Sequence, residues 1–595
     1  MDSFSVSPAL SENYSNIIIH TASLPDRPEA FSDPENTMLV HALSSDSGNG
    51  FFRVLNPAAG TTAGQDYLVQ KVNQQYSILY VPLADHLSTV EEIGYPAVPK
   101  LYTEMNVVSL EAAGILPVRI RPSLDLSGAG VLVGILDSGI DYTHPAFRNA
   151  DGTTRILRLW DQGDERGIPP EGISYGTEYT EVQINEALFS GQKNPVPRTD
   201  PSGHGTAVAG IACGSVEASE GFTGAAPDCS IAFVQLKPTK QYLRDYFRIP
   251  EESIAYQEDD LMLGIRYLLD CAAQLAMPLV ICLPLGTSQG GHDGHSPLEN
   301  MLEAALYQPG VCAVTGTGNE VGYDHHYQDR LSREKASADI ELLVDEETSG
   351  FSIELWADAP NLLSLGFTSP LGESIRPVSP AIGTSREFSF LLENSRIALT
   401  WAAVHPPDAS LVTLIRFADP TPGLWRIQIS TPEIESGVFH LWLPAEGLVS
   451  PQVRFHASSA DTTLVIPSCA PSVISVGTWS AYDESLYLHS GRGYTRNGLI
   501  KPDFVSPGVR VTAPVPDGSY SSLTGSCAAA ALTAGAAALL FEAGLKQNPP
   551  RVFSSAELKD LFQSGVRQSP SLSWPNQSWG YGILNVYGIF ESLII

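Results

Sequence analysis

The chain is poor in positive charge. It carries 34 Lys and Arg against 66 Asp and Glu, a formal net charge of −32 over 595 residues. Nucleic acid and anionic membrane surfaces are held by clustered cations, so neither is expected as a partner, while the same excess keeps a protein in solution. The acidic residues form no calcium loop of the alternating Asp/Asn type, and no metal or cofactor is expected. Cysteine is sparse and irregular. The seven, Cys213, Cys229, Cys271, Cys282, Cys312, Cys469 and Cys527, include no C-x-x-C pair, which speaks against a zinc ribbon or a disulfide framework. Several stand in apolar runs such as Ile281-Cys282-Leu283 and read as small buried hydrophobes of a reducing compartment. From Met1 to Asn16 there is no basic stretch followed by an apolar one, so no secretory signal is expected. No apolar run matches a membrane span, the Ala-rich residues 527–540 being too short, so a cytoplasmic chain without membrane insertion is the expectation.

What is present is enough apolar material for several cores: 43% of residues are hydrophobic, and the length exceeds one ordinary domain. Residues 1–105 read as a small α+β unit, with strand-like runs at 14–20 and 75–83 and a Gly/Ser/Ala-rich stretch between them that suits loops. From Val131 the pattern becomes α/β. Residues 131–136, 278–283 and 311–315 are continuous apolar runs, as expected of strands buried on both faces, and helical spacing separates them. Residues 326–460 break this pattern with short alternating runs, at 340–344, 351–356, 387–392, 396–401, 424–430 and 437–443, punctuated by Pro and Gly. They predict an all-β sandwich or jelly roll. The α/β pattern resumes in 461–595. One parallel-sheet domain, 106–325 and 461–595, is therefore split by an inserted β module.

Four segments carry candidate chemistry. Asp137 ends the first apolar run, in Leu136-Asp137-Ser138-Gly139. Functional groups of open α/β sheets collect at the carboxyl ends of strands, where an acid can orient a base; an Asp capping the next turn fits the segment equally. His204 stands between two glycines in Asp200-Pro201-Ser202-Gly203-His204-Gly205-Thr206, ahead of a small-residue helix. That crowding suits an imidazole facing a cleft better than a structural histidine. Asn319 follows the third buried run in Gly318-Asn319-Glu320 and is either a turn residue or an amide donor to the oxyanion of acyl transfer. Cys527 falls in the first turn of an Ala/Gly-rich helix, Gly525-Ser526-Cys527-Ala528-Ala529. The positive end of the helix dipole favours a thiolate there, and the competing assignment is an inert buried cysteine.

In the order Asp, His, Asn and nucleophile, these segments resemble the subtilisin (subtilase) family. Lys501-Pro502-Asp503-Phe504-Val505-Ser506-Pro507-Gly508 and Gly580-Tyr581-Gly582-Ile583 extend the likeness. The resemblance implies a subtilisin-like endopeptidase acting on a protein or peptide. Asp137 would orient His204, His204 would serve as general base and then acid, and Asn319 would line the oxyanion hole. Leu285, Gly286 and Thr287, with Gly318, would bind substrate. Residues 1–105 would be a propeptide whose tail enters the active site and is cut near Pro99–Val108. Gly290 to Glu299, Asp324-His325-His326-Tyr327 and Ser490-Gly491-Arg492-Gly493-Tyr494, together with the β insertion, look like the Csp-type spore-germination proteases. That likeness implies a spore-associated setting and, as substrate, a zymogen of a cortex-degrading enzyme. Some members of the subfamily have lost triad residues. His325 and His326 are read as loop residues and not as metal ligands.

The departure is at the nucleophile. The family string Gly-Thr-Ser-x-Ala-Ala aligns with Gly525-Ser526-Cys527-Ala528-Ala529-Ala530, setting Cys527 and not Ser526 on the serine. The cysteine is either natural or a substitution made to silence the enzyme. Retention of Asp137, His204 and Asn319 favours an enzyme with weak peptide hydrolysis and better turnover of activated esters. The alternative is an inactive pseudoprotease serving as a regulatory or binding module.

Overall fold

The computed structural model describes residues 110–593 apart from 191–195, 347, 359–360, 405–409 and 432–436, together with 14–20, 39–42, 49–55, 65–72, 76–82 and 100–104. Its centre is a twisted sheet. In chain order the elements are β1 (Leu132–Asp137), β2 (Ile156–Asp161), β3 (Thr177–Thr180), α1 (His204–Cys213), β4 (Ser230–Gln235), α2 (Glu258–Leu275), β5 (Leu279–Leu283), α3 (Pro297–Leu306), β6 (Val311–Gly316), β7 (Ile474–Ser480), β8 (Phe504–Pro507) and α4 (Ser526–Leu545). The strands lie in the order β7-β6-β5-β1-β4-β2-β3, with β8 also on β7. Every pairing from β8 to β2 is parallel, and β3 closes the edge antiparallel to β2. All six residues of β1 are buried, as their unbroken apolar run requires. β1 is also where the strand order turns, so its carboxyl end opens into the crevice such sheets use for chemistry. The α/β fold with an added β module is thus the one expected.

Helix α4 runs through the protein on one face of the sheet, packed on β5, β6, β7 and α1. Ala and Gly make this possible. A methyl group added at Gly535 would stand 2.4 Å from the Ala225 Cβ and 2.6 Å from the Ala212 carbonyl oxygen. The Ala-rich run judged too short to span a membrane is in fact part of this 20-residue helix, which has the length and apolarity to do so. With 89% of that apolar window buried inside the protein, it is a core helix. All seven cysteines are buried, and none forms a disulfide.

The described N-terminal residues make a five-stranded antiparallel sheet in the order 14–20, 76–82, 65–71, 49–55, 39–42. Strands 39–42, 49–55 and 65–71 were not foreseen. Any helix of the expected α+β unit and the loop expected at 58–64 lie outside the described residues; of the loop expected at 44–50, Asn49 and Gly50 instead open the strand 49–55 and the rest lies outside the described residues. The sheet seats Val72, Tyr76 and Ile78 in the same apolar cluster as Leu261 and Leu268 of α2 and Leu298 of α3. Beyond it, Lys100 is buried against Glu258 at the start of α2; the Lys100 N–H donates to Glu258 Oε2 (3.3 Å) and the Glu258 N–H to the Lys100 carbonyl (3.0 Å). Burial is the larger influence on both groups, lowering the Lys100 ammonium to about 8 and raising the Glu258 carboxyl, while their mutual attraction opposes it.

The insertion is a sandwich of two antiparallel sheets. One is ordered 326–331, 437–442, 350–358, 410–418, 396–404, 384–389, and the other 374–378, 364–368, 423–430, 337–344, 454–455. Trp401, Trp425, Phe351 and Phe417 fill the space between them. His326 is therefore no loop residue: it opens a strand, and its Nε2 lies 3.0 Å from His440 Nδ1. The expected strand at 387–392 sits earlier, at Thr384–Ser389, because 391–394 turn outward with Leu391 and Leu392 exposed.

A buried polar joint fastens the insertion to the core. Arg496 pairs with Asp293 (2.6 Å) and Asp358 and lies over the Trp356 ring, while His292 stacks on Trp442 at 4.0 Å. Glu354 accepts from the Gly290 N–H (2.8 Å) and the Trp356 indole (2.7 Å). Burial raises the Glu354 carboxyl to about 7, against the pull of those two donors. A carboxyl raised on folding stabilises the native state below its unfolded value, near 4.5, and this contribution is lost as pH climbs through 7. Replacing Glu354 by Gln, which keeps an acceptor for both donors, is expected to flatten that decline. Denaturant midpoints at pH 4.5 and 7.5 check this; equal pH slopes in the two proteins would reject the assignment.

Candidate active site

Asp137, wholly buried at the carboxyl end of β1, accepts the Ser138 N–H at 2.7 Å. His204 is the first residue of α1, and Gly203 before it has φ 74°, a left-handed conformation that glycine adopts without strain. Gly205 on its other side is required by proximity: a Cβ there would be 2.1 Å from the Gly139 carbonyl oxygen. The two glycines let the start of α1 lie directly on the turn after β1. His204 Nδ1 is consequently 2.8 and 2.9 Å from the two Asp137 oxygens, and Nε2 faces Cys527 Sγ at 3.3 Å. A carboxylate can only accept, so it holds the proton on Nδ1 and leaves the Nε2 lone pair toward the thiol. Cys527 is the second residue of α4 and is itself buried.

Ser526 is not aimed at the histidine. Its hydroxyl accepts the Gly318 N–H at 3.1 Å, and its own N–H donates to Asn319 Oδ1 at 3.1 Å. With its carbonyl oxygen engaged, the Asn319 amide group is left to donate toward the cleft. Asn319 and His204 share one wall of that cleft, about 930 Å³ in volume, with Gly286, Val465 and Thr524. Further lining comes from Pro250–Ile254 and from the insertion, through Thr348–Gly350, Ala445–Gly447 and Val449–Pro451. The linings are tied together: Glu320, the residue after Asn319, accepts the Glu446 N–H at 3.2 Å and lies 3.3 Å from His325 Nδ1. The Glu446 carboxyl is raised chiefly by burial, with His325 opposing and Glu320 adding to the effect.

Of the expected substrate-binding residues, Leu285 and Gly286 form a cleft edge. They pair antiparallel with Glu104 and Thr103, while Tyr256 and Gln257 pair with Tyr102 and Leu101 on the other side. The segment 101–104 thus runs as the middle strand between two edges of the site. Thr287, next in the chain, is buried and bridged to Ile466 through both backbone bonds (3.0 and 2.8 Å). Gly318 is likewise buried beneath Val465 and supports the Ser526 hydroxyl. The Tyr256–Gln257 edge and the insertion's 445–451 wall were missed; the first is a two-residue strand and the second lies over a hundred residues from Asn319. Among the described residues, no group of three or more His, Cys, Asp or Glu side chains is placed to hold a metal ion.

The subtilase family model matches residues 128–366 and 453–582, on either side of most of the insertion. A subtilisin of Bacillus sp. (strain TA39) is 27% identical over 252 residues, 42% of this chain and 49% of that one. The subtilisin-like protease SBT2.1 of Arabidopsis thaliana is 26% identical over 33% of this chain and 27% of its own length. The matches therefore span half or less of these curated relatives. Among solved structures, the CspB protease of Clostridium perfringens superposes with a TM-score of 0.72 at 31% identity, covering 81% of this chain and 98% of that one. On the match to its two core segments and the likeness to CspB, this chain belongs to the subtilase family.

Proposed function

We propose that this chain is an endopeptidase that forms an acyl-enzyme, cutting first its own N-terminal segment after the strand 101–104 and then a protein substrate. The observation that carries this reading is the strand 101–104 held between the cleft edges, one of which, Gly286, shares a wall with His204 and Asn319. Of the cut expected near Pro99–Val108, the part after that strand is residues 105–108, outside the described ones. Residues 1–105 act as the propeptide. The seat of the N-terminal sheet on α2 and the buried Lys100–Glu258 contact favour its staying bound once cut. By the Csp resemblance, the later substrate is a zymogen of a spore cortex-degrading enzyme, and the setting is the cytoplasm or the spore.

In this reading His204 Nε2 takes the thiol proton as Cys527 attacks the scissile carbonyl. The oxyanion is met by the Asn319 amide and by N–H groups at the start of α4, where the helix dipole also opposes negative charge. His204 returns the proton to the departing amine, and a water activated by the same nitrogen releases the acyl group. Sulfur alters the balance. A thiol has a pKa near 8.5 and leaves as thiolate far more readily than an amine, so the tetrahedral adduct of a peptide falls back to thiol and substrate. An ester's better leaving group escapes this. The same feature favours the second reading, that the Cys527 form binds and regulates without cutting.

Denatured intact mass of the Cys527→Ser and Cys527→Ala chains separates the two. The serine form is expected as two fragments split near residue 105 and the alanine form as the whole 63.8 kDa chain. An uncut serine form would favour the binding module. In the Cys527→Ser background, Asn319→Ala is expected to lower kcat for an ester by a factor on the order of 10²–10³, the range known for the equivalent donor in subtilisin itself, with KM little changed. A fall in KM-dependent binding alone would remove Asn319 from the oxyanion site.

A further inference from the structure

Four residues before His204, Asp200 joins the two halves of the Asp137–His204 couple. Its Oδ1 accepts the Ser138 hydroxyl (2.7 Å) and the Gly203 N–H (3.1 Å), and its Oδ2 accepts the Thr206 N–H (2.8 Å) and the Thr206 hydroxyl (2.6 Å). Ser138 is the residue whose N–H holds Asp137, and Gly203 and Thr206 flank the first turn of α1. The link is doubled around it. Ser202 donates to the Ser138 hydroxyl (3.0 Å) and accepts the His204 N–H (3.2 Å), and the Gly205 N–H donates back to Ser138 (3.2 Å). A carboxylate with all four in-plane acceptor positions filled, two of them by hydroxyls, fixes its neighbours in angle as well as distance. Gly203 has no side chain to cap α1, and Asp200 meets the Thr206 N–H of the first turn in its place.

We propose that Asp200 is a positioning residue: its carboxylate clamps the turn after β1 to the start of α1 and so sets how Asp137 meets the His204 ring, and through it how His204 meets Cys527. It touches neither substrate nor thiol. The consequence for catalysis rests on the acyl-transfer reading above, but the clamp itself does not, because it acts on the ionisation of Cys527 in the chain as it stands. A histidine held against Asp137 accepts the thiol proton as imidazolium. Loosening the ring, or removing a second anionic charge behind Asp137, makes that transfer less favourable. Asp137 is the carboxylate on the ring and Asp200 stands behind it through Ser138 and the start of α1; Cys282 on β5 and Tyr487 are the other ionisable groups around the thiol, and Arg198 is held by its pairing with Asp141 and Asp517.

The test is the absorbance of thiolate near 240 nm as a function of pH, taken as the difference between the full chain and its Cys527→Ser variant, so that the other six cysteines cancel. Asp200→Asn keeps the shape but places an amide group against Thr206 or Ser138. It is expected to raise the Cys527 midpoint by about one unit, tenfold less thiolate at any pH below it. Ser138→Ala, which cuts one of the four bonds, should shift the midpoint in the same direction by less. Thermal melting run alongside reports the fold. Folded variants that both titrate like the parent would overturn the assignment; if Asp200→Asn does not fold, Ser138→Ala decides alone. Self-cleavage is not read, so an uncut Cys527→Ser chain leaves this outcome unaffected.

Discussion

Everything at the active site depends on how closely three pieces of backbone approach one another. The turn after β1, the start of α1 and the start of α4 meet where side chains would ordinarily keep them apart. The contact between Gly205 and the Gly139 carbonyl removes that obstacle on one side. On the other, a Cβ at Gly316 on β6 would stand 2.6 Å from the Ser526 carbonyl oxygen, so α4 also begins directly against the sheet. Steric economy at these points, more than any single polar bond, brings an imidazole within hydrogen-bonding reach of both a carboxylate and a thiol. The hydrogen bonds then select one arrangement among those the close packing permits.

How much of this could be read from the chain alone follows from which signals are local. Burial on both faces leaves β1, β5 and β6 as unbroken apolar runs, and the Gly-His-Gly and Ala-rich strings declare close packing, so the sheet and the three aligned groups were apparent. The register that sets Cys527 and not Ser526 against His204 also followed from the small residues downstream in α4. Signals that depend on distant partners were lost. His326 is followed by alternating polar residues and looks like a loop until Gly437–Trp442 lies beside it. The partner of Thr287, Ile466, is likewise far along the chain and could not be named from the local string. Asp200 was quoted within the histidine string without a role, because its four donors come from two segments that only folding unites.

The insertion is part of the site. It lines the cleft that His204 also lines, and Glu320, the residue after Asn319, holds that lining through the Glu446 N–H. Its attachment to the core is double: a buried apolar seam, in which Leu243 and Phe247 meet Trp356, Val412 and Leu414, and the polar joint of Arg496, Glu354 and the His292–Trp442 stack. The hydrogen bonds and ion pairs of the joint add direction to what the seam holds by packing.

The position of α4 in the chain has a consequence for biosynthesis. The helix covers one face of β5 and β6, yet 209 residues separate the end of β6 at Gly316 from its first residue, Ser526, with the whole sandwich in between. At about 5–20 residues per second, a ribosome needs roughly 10–40 s to traverse that interval. The sandwich can close on itself during this time, whereas the sheet waits with an apolar face bare. The nucleophile therefore arrives on the same element that completes the core, and a truncated chain has neither a finished interior nor a thiol facing His204.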